Sequence, residues 1–399
     1  MTMDSQPALA RERFSIARDV IYLDGNSLGA LPKATPERLR ALMREEWRSD
    51  LITSWTKHGW IDLPVNAAAR LGPIVGARPD ELLIADSTSV ILYKLLGAAV
   101  RARPGRKVVL TQQANFPTDL YVAAGLCESL GLELRAVAAD EIAGAITDEV
   151  AVVALTHVDY RSAAILDMAG INAAARAAGA LNCWDLSHSA GAIVLDLDGS
   201  GCDLAVGCGY KYLNGGPGAP AFCFVAAGLQ DQLQPPLQGW MGHAAPFDFG
   251  DDYQPADGIR RFLTGTPAVL GIAALECGLA TFDGIAMATV EDHSRALSAA
   301  FIERVEARCG DAVSLASPRD PAMRASHVCF AHPNGYAVMQ ALIARGVIGD
   351  FRTPDLMRFG FAPLYNSHDD VIRAADILGD ILDSASWDDP RFHAKARVT

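Results

Sequence analysis

Between about residue 80 and residue 280, short apolar runs alternate with alanine-rich segments, and this alternation restricts the possible folds more than any other feature of the chain. Val108 to Leu110, Val150 to Leu155, Leu181 to Trp184 and Ala221 to Val225 read as buried strands. Helical segments lie between them, such as Asn172 to Ala178, which ends at the stop signal Gly179. Strands that are apolar at successive positions need cover on both faces, which a mostly parallel sheet flanked by helices provides. The pattern therefore predicts an α/β domain. After about residue 285 it changes to helix, strand and helix, as in a smaller α+β domain. Residues 1 to about 30 read as an arm ending in the turn-rich loop Asp24-Gly25-Asn26-Ser27-Leu28-Gly29. A helix follows, with Thr35 as N-cap, Pro36 at the first helical position, and Leu39, Leu42 and Met43 on one face. The 399 residues, half of them hydrophobic, suffice for two such domains. The expected division is an arm and helix joining the small domain over 1–50, a large domain over 51–285 and a small C-terminal domain over 286–399.

Charge and cysteine usage narrow the partners. Asp and Glu (47) outnumber Lys and Arg (34), and the formal net charge is −13 with no long basic run. Nucleic-acid binding needs clustered cations, so no such partner is expected. The eight Cys are dispersed, none forms a Cys-x-x-Cys pair, and Cys202 and Cys208 lack zinc-ligand spacing, so no metal site is expected. The N-terminus has no apolar signal region. No uncharged apolar stretch reaches the roughly 18 residues of a membrane span. These features predict a cytoplasmic protein with no membrane partner.

Four local features carry chemistry, and their order along the chain matters more than any one alone. Asp86-Ser87-Thr88-Ser89 precedes the apolar helical run Val90 to Val100. Hydroxyls there can cap the helix, or can join its free N–H groups in holding a phosphate. Asp185-Leu186-Ser187-His188 follows directly on the strand Leu181 to Trp184, at the end of a parallel strand where α/β folds bind ligands. A carboxylate there can keep a pyridine nitrogen protonated, and a His three residues on can reach a ring oxygen. The plain alternative is a helix-capping Asp beside a surface His. Gly209-Tyr210-Lys211-Tyr212-Leu213-Asn214-Gly215-Gly216 sets a lysine between aromatic residues in a mostly apolar stretch. Lysine is seldom buried without a purpose, and partial desolvation makes its amine available for a Schiff base; the alternative is a surface lysine on a loop. Lys211 lies one strand and one turn beyond Asp185, so one sheet can bring both to the same crevice. Phosphate-binding helix start, Asp-x-x-His and glycine-flanked lysine follow in the order that a pyridoxal 5'-phosphate site needs.

At these residues the chain resembles the kynureninase family, fold type I pyridoxal-phosphate enzymes of the class V aminotransferase group. The similarity runs from Tyr22 to about Val371. It rests on Leu23 to Gly29, Phe116-Pro117-Thr118-Asp119, Asp185 to His188, Tyr210-Lys211-Tyr212-Leu213-Asn214 and Pro363-Leu364-Tyr365-Asn366-Ser367. The resemblance implies a PLP-dependent transferase-like fold, with Lys211 as the Schiff-base lysine and proton carrier. It implies Asp185 at the pyridine nitrogen, His188 near the phenolic oxygen and Phe116 stacked on the ring. Thr88, Ser89 and Tyr210 would reach the phosphate, and Asp119 and Thr156 would make further ring-side contacts. Trp240 and Thr266 match positions donated by the other subunit of a homodimer. Arg358 matches the residue that grips the substrate α-carboxylate, with Arg352 a rival by sequence. Asn26, Trp55 and Gly265 fall at substrate-binding positions. The implied reaction is hydrolysis of L-kynurenine to anthranilate and L-alanine in tryptophan degradation. Trp55 and Thr266 resemble members that prefer L-kynurenine to its 3-hydroxylated form, which carry His and Asn there in the opposite case. Ile91 and Ala163, where relatives often have Asn and Gly, depart from the pattern. Competing readings are a cysteine desulfurase or aminotransferase of the same group, and a regulatory protein that keeps the cofactor without turnover. Cys329, in Ser-His-Val-Cys-Phe-Ala-His, reads as a strand and not as a mobile catalytic loop.

Overall fold

The computed structural model describes residues 6–395; the outer ends of the arm and of the C-terminal segment, 1–5 and 396–399, lie outside the described residues. Seven strands form the larger sheet: β1 Leu82–Ala85, β2 Val108–Gln112, β3 Glu133–Val137, β4 Val150–Thr156, β5 Leu181–Asp185, β6 Leu204–Cys208 and β7 Ala221–Val225. Their order is β1-β7-β6-β5-β4-β2-β3. The pairings from β3 through β2, β4 and β5 to β6 are parallel, and β7 runs antiparallel to both β6 and β1. Every strand read from the sequence is present. Three of the four run on into polar residues, to Gln112, Thr156 and Asp185, because the backbone ladder continues past the apolar run.

Successive side chains along these strands serve opposite faces. Val109 and Val152 meet the helices Thr88–Arg101 and Pro117–Leu130 through Leu92, Leu95, Leu96, Ala123 and Leu126. Leu110, Val153 and Leu155 face the other layer, with Ile171 and Ala175 of the helix Met168–Ala178, in an apolar cluster that extends to Ile272 and Leu275 of Val269–Leu279. Asp167 caps Met168–Ala178 by accepting from the Gly170 N–H, and Gly179 ends it with φ 74°.

The smaller sheet holds β8 Ser314–Leu315, β9 His327–Ala331, β10 Asp350–Arg352 and β11 Leu356–Gly360, all antiparallel in the order β10-β11-β9-β8. Its core stacks Phe301, Phe330, Phe359 and Phe361 under the helices Met287–Cys309 and His368–Asp383. The arm touches both units. Ile21–Tyr22 pairs in parallel with Val347–Ile348, whereas the helix Thr35–Ala41 packs on Val269–Leu279. That helix starts one residue earlier than its capping pattern suggests. Ala34 holds the cap position and Thr35 is already helical and buried; Pro36 still falls in the first turn, where its missing N–H is harmless. Among the described residues no single helix is long and apolar enough to cross a membrane.

Candidate active site

Thr156 and Asp185 end adjacent parallel strands and are direct register partners. The chain leaves β6 at Cys208 and turns back over the same sheet edge at Lys211. A cleft of about 460 Å³ opens there, and nine of the residues singled out from the sequence line it: Thr88, Ser89, Phe116, Asp119, Thr156, Asp185, His188, Tyr210 and Lys211. Thr118 and Ser187 join them; both lie inside the sequence motifs but carried no assigned role.

The lysine turn is held from two sides. Asn214 adopts φ 58°, a left-handed conformation that asparagine tolerates, and its N–H donates to the Lys211 carbonyl at 2.9 Å. Gly29 of the arm donates to the Tyr210 carbonyl at 2.8 Å, and a Cβ on Gly29 would collide with the Lys211 carbonyl. This close approach explains why the arm's Asp24 to Gly29 loop belongs to the site. Farther along, the Tyr212 hydroxyl donates to the Ser326 carbonyl at 2.8 Å and anchors the turn to the smaller unit.

Within the cleft, Lys211 Nζ lies 3.2 Å from His188 Nε2. Burial, reinforced by the Lys211 charge, drives the His188 pKa well below its usual value, so the ring is neutral and can accept from the ammonium. Lys211 Nζ is also 5.8 Å from the centre of the Phe116 ring. Asp185 Oδ1 accepts from the Ser187 N–H at 2.6 Å. Asp119 sits beside Asp185; burial and then the Asp185 charge raise its pKa well above the carboxylate range, so Asp119 keeps its proton. Thr156 Oγ1 donates towards Asp119 Oδ2 at 3.1 Å and also contacts Asn115. The Tyr210 pKa is raised by burial, so its hydroxyl remains a donor.

Arg358 lies against the far side of Phe116 through Tyr160. The Phe116 and Tyr160 rings meet edge to face at 5.2 Å, and the Tyr160 carbonyl accepts from Arg358 Nη1 at 2.6 Å. Arg358 also donates to Asp350 and, through Nη2, to Ser27 Oγ at 2.9 Å. Arg352 reaches the same Asp350 at 2.7 Å but is partly exposed, so both arginines share one carboxylate. The sequence offered no sign of Asp350, since only the β10–β11 register sets it opposite Arg358. Asn26 is fully buried nearby, with both amide atoms free of protein partners. Trp55, Gly265, Thr266 and Trp240 do not line the Lys211 cleft of their own chain. Trp55 packs on Trp60 at 6.1 Å, Gly265 and Thr266 are exposed, and Trp240 sits in an exposed aromatic patch with Phe247 and Phe249.

Comparison with known proteins identifies the family. Residues 290–378 match the model of the kynureninase C-terminal domain. The chain is 47% identical over its whole length to a kynureninase of Pseudomonas fluorescens, 98% of which is covered. It is 48% identical over 96% of its length to one from Deinococcus radiodurans, 95% of which is covered. The chain belongs to the kynureninase family. Solved structures resemble this kynureninase-family chain in fold alone. A cysteine desulfurase from Thermococcus onnurineus NA1 superposes with a TM-score of 0.79 at 18% identity, covering 94% of this chain and 98% of that one. The C-DES protein, one variant of which holds glycine covalently linked to its PLP cofactor, gives 0.79 at 18% identity, covering 93% and 99%. The fold is that of the fold type I pyridoxal-phosphate enzymes. The donor set suits that cofactor: hydroxyls at a helix N-terminus for a phosphate dianion, a carboxylate deep at the sheet edge for a pyridine nitrogen, and an amine between them for an aldehyde.

Proposed function

We infer that this chain uses pyridoxal 5'-phosphate to hydrolyse L-kynurenine to anthranilate and L-alanine. The observation that carries the reading is Lys211 held 3.2 Å from a neutral His188 in a cleft walled by Asp185, in a chain 47% identical end to end to a kynureninase. When bound, the cofactor supplies an electron-poor ring that can store the electron pair left when the substrate loses its Cα proton. The protein residues then have separate tasks. Thr88, Ser89 and Tyr210 hold the phosphate, and Phe116 covers one ring face. Asp185 keeps the pyridine nitrogen positive, while the proton on Asp119 prevents a second negative charge from competing. Lys211 would hold the cofactor through its aldehyde, and its amine is placed to move the substrate Cα proton. We assign the α-carboxylate to Arg358 rather than Arg352, since Arg358 is the one tied through Tyr160 to Phe116; Asp350 holds its Nε–Nη2 edge and sets its plane, which leaves the Nη1 side for the substrate. Net hydrolysis adds hydroxide to the γ-carbonyl carbon and hydrogen to Cβ as the Cβ–Cγ bond breaks.

Further parts of the proposal are a homodimer in which Trp240 and Thr266 complete the partner's site, a cytoplasmic location, and no nucleic-acid or membrane partner. The exposure of Trp240, Gly265 and Thr266 away from their own Lys211 supports the shared site. We also take 1–50, 51–285 and 286–399 as the arm, large and small domains. The desulfurase reading is disfavoured. Cys329 is fully buried in β9, its thiol pushed up to about 12 by burial, and no Cys lines the Lys211 cleft.

The test is anthranilate fluorescence on adding L-kynurenine to the PLP-loaded protein, with 3-hydroxykynurenine followed in parallel. L-Kynurenine should be preferred in kcat/KM by about ten- to a hundredfold, because an apolar Trp55 strips water from the extra hydroxyl without returning a hydrogen bond. No anthranilate would refute the activity. Preference for the hydroxylated substrate would refute the specificity alone.

A further inference from the structure

Lys94 is a fully buried lysine that the reaction does not use. Its side chain has no exposed surface, yet its three ammonium protons all find acceptors: Asp86 Oδ2 at 2.6 Å, Thr264 Oγ1 at 2.8 Å and the Phe262 carbonyl. Burying a lysine this completely is unfavourable unless it is paired and fully hydrogen-bonded, so the site is built around it.

What Lys94 joins is specific. Asp86 lies two residues before Thr88 and has φ 47°, a left-handed conformation that a non-glycine residue keeps only when its surroundings hold it. Its carbonyl accepts from the Ala221 N–H at 3.0 Å, and its carboxylate is held by Lys94. The direction in which the chain enters the helix Thr88–Arg101, and hence the aim of Thr88 and Ser89, is set at this residue. On the other side, the Thr264 carbonyl accepts from the Met241 N–H at 3.2 Å, and a Cβ on Gly239 would collide with that carbonyl. The segment carrying Trp240 is therefore pressed onto Thr264, two residues from Thr266.

We propose that Lys94 is a positioning residue for the cofactor phosphate: it ties the Asp86–Ser89 start of the helix to the 239–241 and 262–266 segments. This rests on the pyridoxal-phosphate and shared-dimer readings above. Lys94 thereby fixes both components of the phosphate site, the hydroxyls given to its own cleft and the Trp240 and Thr266 given to its partner's. The ring-binding residues Phe116, Asp185 and Lys211 stand on other elements and do not depend on it.

The proposal separates phosphate binding from ring binding, and the test does the same. Apoenzyme is titrated with pyridoxal 5'-phosphate and with pyridoxal, which has the same ring and aldehyde but no phosphate, and the absorbance of the lysine adduct is read. Two variants are used, Lys94→Gln and the double variant Lys94→Gln with Asp86→Asn. The second leaves no unpaired charge, so it decides the matter if the first does not fold; circular dichroism melting checks both. In a folded variant the Kd of pyridoxal 5'-phosphate should rise about tenfold or more while that of pyridoxal changes less than about twofold. Equal weakening of both ligands, or no change in either, would overturn the proposal. If the wild-type protein binds neither ligand, the cofactor reading itself fails, a result distinguishable from failure of the Lys94 role.

Discussion

Arg358 and Asp350 are register partners on β11 and β10, and their side chains form a two-pronged ion pair almost closed to water, with Nε 2.8 Å from Oδ1 and exposures of 1% and 2%. Burial alone would raise the Asp350 pKa, but the Arg358 hydrogen bonds and charge outweigh it and hold the carboxylate below its ordinary range. The pair fixes the plane of the guanidinium before any substrate arrives. Arg358→Lys keeps the charge and loses the fork, and should raise KM for kynurenine by about ten- to a hundredfold with the affinity for pyridoxal 5'-phosphate unchanged. Asp350→Ala strands a buried guanidinium and should cost about 3–5 kcal/mol of stability in urea denaturation. Wild-type stability in that variant would contradict the dependence of the Arg358 guanidinium on this carboxylate.

Asp185→Asn should still bind the cofactor and still give the lysine adduct, because Ser187 and the strand end remain in place. It should lose most of its turnover, about a hundredfold or more in kcat, since an amide brings no negative charge to the pyridine nitrogen. Steady-state kinetics beside the absorbance spectrum checks this, and an unchanged kcat would reduce Asp185 to a structural cap.

Burial, with the Asp350 charge beside it, raises the Asp24 pKa from 3.8 to about 8. The folded protein therefore keeps a proton that the unfolded chain has already lost across that window. The associated stability is present below pH 3.8 and drains away as pH rises towards about 8, at up to about 1.4 kcal/mol per pH unit. Asp24→Asn cannot ionise. The melting temperature of the apoprotein should fall between about pH 5 and about pH 8 in the wild type and fall less in this variant. Parallel pH profiles would contradict the assignment.

Trp240 is 38% exposed and stands among Phe247 and Phe249, at 55% and 75%, outside the cleft of its own chain. A Lys211→Ala protein and a Trp240→Ala protein, each inactive or nearly so, should recover part of their activity when mixed and reassembled, because the heterodimer contains one intact site. Absence of recovery, with mixed dimers demonstrated, would place Trp240 outside the partner's site.

The cleft is legible in the sequence because its chemistry is local. Asp185 and His188 share one strand end, and Lys211 follows after a single further strand, so the parallel sheet converts short spacing into proximity. Strand β3 is harder to read, since Glu133 and Arg135 lie on an edge where a charged residue is tolerated. Thr35 was a reasonable cap by residue type, but capping is decided by backbone angles at Ala34 that residue type does not specify. Asp350 and Lys94 are the least legible of all. Each matters through a contact with residues remote in sequence or on another element, Ser27 and Arg358 for one and Phe262 and Thr264 for the other. Nothing in the local sequence of either announces such a partner.

One experiment joins cofactor, residue and reaction. Protein loaded with pyridoxal 5'-phosphate is divided: one part is reduced with borohydride and mapped by peptide mass spectrometry, and the other is given L-kynurenine while anthranilate and alanine are quantified. The reduced cofactor should lie on Lys211, the two products should appear in equal amounts, and both the adduct and the products should be lost in Lys211→Ala. A cofactor fixed on another lysine, or kynurenine consumed without anthranilate and alanine appearing together, would contradict the proposed function.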